Sequence, residues 1–125
     1  MPSSTLRHES SSSGPRLAAL WAGLAAGPLA WATLLETNYV LSYVACEQRH
    51  SWMLHLGTAI ALAVVGLGAF AAWSARPPLV EDTASSTTES RVRFMAIGGL
   101  VLCAGFAIVI LATEIPVLVL DPCMP

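Results

Sequence analysis

Three long apolar blocks divide the chain, from about Leu17 to Val44, Trp52 to Trp73, and Phe94 to Leu120. Their apolar residues run all round rather than in amphipathic stripes, so no block keeps a face for water. Each reaches the ~20 residues needed to cross ~30 Å of hydrocarbon at ~1.5 Å per residue. In lipid the backbone has to satisfy its own hydrogen bonds, so each block is expected to be a helix. The pattern predicts an all-α membrane protein with three transmembrane helices. Residues 1–16 are rich in serine, contain Pro2, Gly14 and Pro15, and read as a disordered tail. Residues 17–125 form the three-helix transmembrane domain. The link 45–51 is short and makes an antiparallel hairpin of the first two spans. The link 74–93 contains Pro77, Pro78, Glu81, Asp82 and the Ser/Thr run from Thr83 to Ser90, and reads as a hydrophilic loop.

Composition agrees with this pattern. Apolar residues make up 55% of the 125 positions and charged residues 11%, against roughly 25% charged in a soluble domain. So few charges could not cover a water-soluble surface. There is no lysine and the net charge is −2, which argues against a nucleic-acid partner. The arginines set the expected direction. Arg7, Arg16, Arg76, Arg91 and Arg93 fall on the side of the tail and long loop, and only Arg49 falls on the other. The N-terminus and long loop are therefore expected in the cytoplasm. The first loop and the C-terminus then face the periplasm or exterior, as a multi-pass protein of a bacterial inner membrane. Trp52 and Trp73 sit where interfacial anchors belong. The competing reading makes the start a signal peptide cleaved near Ala30-Trp31-Ala32. The apolar run continuing to Val44 suits a retained span better.

Candidate chemistry concentrates at the outer end. Cys46 starts the first loop and Cys123 follows span three, on the same expected face, which in a bacterium is oxidising. A Cys46–Cys123 disulfide is expected, with paired metal-binding thiolates or free thiols as alternatives. Cys103, in mid-span, reads as a small apolar packing residue. Glu36 and Glu114 are ionisable residues inside spans, which usually mark a site or an internal pairing. Counting helix rise from the cysteines puts both carboxylates about 14–15 Å below them. His55, about one turn past Trp52, is then shallower than either, and is expected to hydrogen-bond Glu36 or a tyrosine. Asn38, Tyr39, Tyr43 and Thr113 complete this intramembrane polar cluster. It reads as a buried hydrogen-bond network, or alternatively as a proton relay, a ligand site or a surface for another membrane protein. His50, Met53 and His55, with Met124 nearby, are the candidate ligands for copper or haem. The spacing of Gly23 with Gly27, and of Gly57 with Ala61, predicts close helix packing, and Pro28 is expected to kink the first helix. No H-E-x-x-H, P-loop, G-x-S-x-G or C-x-x-C is present. No polar segment is long enough for a catalytic domain, so no enzyme activity is expected.

Three stretches carry a resemblance: Gly27-Pro28-Leu29-Ala30-Trp31; Tyr43 to Cys46 with His55 beyond; and Ile115 through Asp121-Pro122-Cys123. Together they resemble a group of small bacterial three-helix membrane proteins often encoded beside cytochrome c oxidase and oxidase-assembly genes. The likeness spans roughly residues 26–123. It departs at Tyr43-Val44-Ala45-Cys46, where the relatives tend to carry a bulkier aromatic residue and a proline. It implies a respiratory membrane as the setting and brings no catalytic residues with it. Three functions follow as expectations. The first is a non-catalytic membrane accessory protein, a small subunit or assembly factor of a respiratory oxidase, with oxidase components as partners and no cofactor. The second is a haem or copper carrier. The third is an oligomeric proton or ion channel using Glu36 and Glu114.

Overall fold

The computed structural model describes residues 3–48, 52–77, 87–120 and 123, with side chains from residue 14 onward. It is all-helical. Helix α1 runs Ser3–Gln48, α2 Trp52–Ser74 and α3 Thr87–Val119, and each packs on both of the others. All three contain a stretch long and apolar enough to cross a membrane.

Two of the helices are longer than the apolar blocks within them. Helix α1 starts at Ser3, inside the serine-rich stretch that composition assigns to a tail, and α3 starts at Thr87, inside the expected loop. The reason is that apolarity marks where lipid begins, while a helix continues as long as its backbone bonds propagate. Glu89 in the first turn of α3 favours an early start by facing the positive end of the helix dipole. Helix α1 continues through Pro15 and Pro28. At the other end Pro116 precedes the stop of α3, and the Leu120 amide donates to the Pro116 carbonyl at 2.8 Å.

The core mixes alanines with a few large aliphatic residues, Leu20, Leu34, Leu54, Val65 and Ile110. Ala30, Ala45, Ala61, Ala72, Ala75 and Ala96 are buried, whereas Leu29, Leu67, Phe70, Phe94 and Ile108 are exposed. This inverts the rule for water-soluble proteins. It fits a bilayer, where tight packing rather than apolar burial holds helices together. The tightest crossing involves all three helices. A Cβ on Gly23 would sit 2.7 Å from the Ala72 Cβ, and one on Gly99 would sit 3.2 Å from the Gly23 carbonyl carbon. A Cβ on Gly68 would collide with the Ala26 side chain. The Cys103 thiol donates to the Gly23 carbonyl at 3.2 Å within the same crossing. Beyond it, Trp31 and Phe106 meet with ring centroids 5.9 Å apart. Toward the opposite end lies a smaller cluster of Leu20, Ala75 and Ala96.

The two ends differ chemically. At one end Arg16 Nε donates to the Ala75 carbonyl at 3.2 Å, and the Arg76 guanidinium lies 3.6 Å from the Trp73 ring centroid. At the other end Cys46 and Cys123 come together at disulfide distance, their Cα atoms 5.3 Å apart, within the usual span of a bonded pair.

Candidate functional site

The polar residues of the spans gather near the cysteine end. Helix α2 presents His55 and Thr58, three positions apart and so on adjoining parts of one face. Helix α3 brings Glu114 against that face. One carboxylate oxygen of Glu114 meets His55 Nδ1, a hydrogen bond that becomes an ion pair when the imidazole is protonated. The other oxygen accepts from the Thr58 hydroxyl at 2.5 Å. Thr58 is the buried polar side chain of this site. Its hydroxyl also lies 3.3 Å from the Leu54 carbonyl one turn back. The Glu114 side chain is 15% exposed and that of His55 43%, so the group is sealed on the α3 side and opens outward at the imidazole.

His55 therefore pairs with Glu114, not with Glu36 or a tyrosine as expected from the sequence. Helix counting places both glutamates at one depth and so could not choose between them. The choice is made by direction, since Glu114 faces α2 and Glu36 faces outward.

The remaining members of the predicted polar cluster go elsewhere. Thr113 donates to the Ile110 carbonyl of its own helix at 2.7 Å. The Asn38 Oδ1 is buried, as is the Trp31 Nε1, and neither has a hydrogen-bond partner among the described residues. Tyr39 and Tyr43 are 71% and 76% exposed and meet each other edge to face, with centroids 6.4 Å apart. Glu36 is also exposed, and it makes no hydrogen bond or ion pair among the described residues. Its level is fixed by its neighbours. A Cβ on Gly57 would lie 3.5 Å from Leu34 Cδ1 and 3.8 Å from Asn38 Oδ1, and Glu36 falls between those two residues. It is therefore level with Gly57, five residues into α2, about 7–8 Å inside Trp52.

Of the packing residues expected from spacing, Gly23 and Gly27 are tightly packed, and a Cβ on Gly27 would sit 3.0 Å from the Phe106 ring. Ala61 is buried, while Gly57 has only ordinary contacts. Gly68 and Gly99, also expected from the sequence to pack closely, meet other helices, and Thr58 carries weight that the sequence reading did not assign. For Thr58 a signal existed, because it follows His55 by three residues on a helix.

Met53 is half-buried. The candidate ligands His50 and Met124 lie outside the described residues, as do Arg49 and Asp121. Among the described residues no three His, Cys, Asp or Glu side chains are placed to hold a metal ion. An open apolar groove between α1 and α2, about 360 Å³ in volume, is lined by Leu29, Thr33, Leu34, Ile60 and Val64 among others.

The fold and site define a helical-bundle protein able to span a membrane three times, with an internal His–Thr–Glu network and a carboxylate on its outer surface. No protein-family model, no characterised protein and no solved structure matches the chain.

Proposed function

We propose that this chain is a non-catalytic accessory protein of a bacterial inner membrane that works by packing against another membrane protein. Its N-terminus and the 74–93 loop lie in the cytoplasm, and its cysteine end lies in the periplasm. The carrying observation is the position of Glu36. The bundle meets the needs of its other intramembrane carboxylate internally, by giving Glu114 two partners on α2. Glu36 points outward at the same end of the bundle and has no partner in the described chain. An ionisable group facing hydrocarbon costs several kcal/mol, and such groups usually face protein or water. A partner protein covering α1 relieves that cost.

The orientation is supported by the arginine distribution and by the pairing of Cys46 with Cys123, which suits an oxidising compartment. A respiratory oxidase, with this chain as small subunit or assembly factor, is supported by the resemblance of Gly27–Trp31, Tyr43–Cys46 with His55, and Ile115–Cys123.

Tagged protein purified from native membranes in mild detergent tests the reading. Oxidase subunits or their assembly factors should co-purify in near-stoichiometric amounts, and the isolated chain should be colourless. Elution of the chain alone would remove the accessory reading. A Soret band or bound copper in the isolated chain would replace it with the carrier reading.

A further inference from the structure

All three helices turn a face outward, and within the apolar blocks only that of α1 carries a carboxylate. From Ala18 to Tyr43, steps of alternately four and three residues land only on exposed positions, except at half-buried Ala25. That repeat averages 3.5 residues, the period of a seam between two supercoiled helices. Toward the arginine end the seam carries alanine at positions 18, 22, 25 and 32, with the exposed Leu29 between the last two, and so permits close approach of another backbone over its first two turns. Toward the cysteine end it carries Glu36, Tyr39 and Tyr43. Helices α2 and α3 expose positions at the same steps, from Trp52 to Trp73 and from Phe94 to Val119 with Gly98 half-buried. Helix α2 has small residues there at Ala59, Ala63 and Gly66, with the exposed His55 one turn before Ala59 already engaged by Glu114. The outward positions of α3 within its apolar block are uncharged.

A carboxylate in a seam selects for what faces it. A second copy in the same orientation would oppose Glu36 with Glu36, and the chain holds no cation at that depth to offer instead. It has no lysine, and its arginines lie at 7, 16, 49, 76, 91 and 93, all outside the apolar blocks. Its one histidine at this level, His55, is engaged by Glu114. We infer that the α1 seam docks a transmembrane helix of a different protein, one that carries an arginine, lysine or histidine at the depth of Glu36. The inference rests on the accessory reading and names the surface and chemistry that reading would use. The alanines set the approach of the two helices, the charge pair sets their register, and the tyrosines lie beside the pair on its cysteine side.

Photo-crosslinking in native membranes with the full chain tests it. A benzophenone amino acid is placed at Ala32 or Tyr39 on the seam, and at Ala63 or Ile108 on the other faces. The expected result is an adduct from the seam alone, mapped by mass spectrometry to a membrane span with Arg, Lys or His within one turn of the crosslink. Glu36→Lys should lower its yield by about tenfold or more, the loss expected for a charge-assisted hydrogen bond, and Glu36→Gln by less. Because Glu36 makes no hydrogen bond or ion pair among the described residues, the buried Cys103 thiol, which is outside the disulfide, should remain equally protected from thiol reagents in both variants, which shows that they fold. An adduct of twice the chain mass would overturn the inference in favour of self-association. A seam adduct to a span without a basic residue, or one indifferent to Glu36→Lys, would also overturn it. Adducts from Ala63 or Ile108 but not from the seam would refute this surface and leave the accessory reading standing. No protein adduct from any face would remove both.

Discussion

Glu114 is held by two side chains one turn apart on α2, and its removal leaves the buried Thr58 hydroxyl with only its own helix to bond. Hydrogen bonds between membrane helices average about 0.6 kcal/mol and reach about 1–2 kcal/mol. Glu114→Ala is therefore expected to destabilise the bundle by about 1–2 kcal/mol in a reversible unfolding titration in mixed micelles. Glu114→Gln keeps an acceptor for Thr58 and an N–H for the imidazole, and should cost less than half as much. Thr58→Val combined with Glu114→Ala should cost less than the sum of the single changes, since both report one network. Full additivity would show that the contact contributes nothing to stability. Sequence reading found His55 and Glu114 but matched His55 to the wrong partner. Helix rise places Glu36 and Glu114 at similar depths and so cannot choose between them. Depth also carries no direction. The outward aim of Glu36, Tyr39 and Tyr43 depends on how α1 is rotated about its axis, and that is set by Gly23, Gly27, Leu34 and Asn38 meeting their neighbours.

At the scale of elements, the three spans were readable because hydrocarbon thickness imposes a length on them. The packing between them was less so. Small residues occur on both inner and outer faces of a membrane helix, so spacing alone could not separate Gly68 and Gly99, which meet other helices, from Gly66, Gly98 and Gly105, which meet nothing within 4 Å. The difference is open to measurement. Gly23→Ala and Gly68→Ala should each destabilise by about 1–3 kcal/mol, as overpacking does. Gly98→Ala and Gly105→Ala should be neutral or stabilising by up to about 1 kcal/mol, from the lower backbone entropy of alanine. Equal effects at all four positions would mean that the helices do not cross as described.

For the whole molecule, the Cys46–Cys123 link ties the end of α3 to the α1–α2 hairpin across 77 positions of sequence. Its two cysteines were readable as a pair because both follow the outer end of a span. In unreduced native membranes neither thiol should react with maleimide. Reduction, or Cys46→Ser, should cost about 2–4 kcal/mol, and labelling of both thiols without reduction would refute the bond. The link holds one end of the bundle, the glycine crossing holds its middle, and the α1 seam is left free for another protein. The central claim is that this free surface is occupied in the cell. Native mass spectrometry of the tagged chain, released from native membranes in mild detergent, measures that most directly. The account expects a particle in which the chain is bound to a different membrane protein, and loss of that particle with Glu36→Lys. A particle weighing one chain, or a whole multiple of one chain, would contradict it.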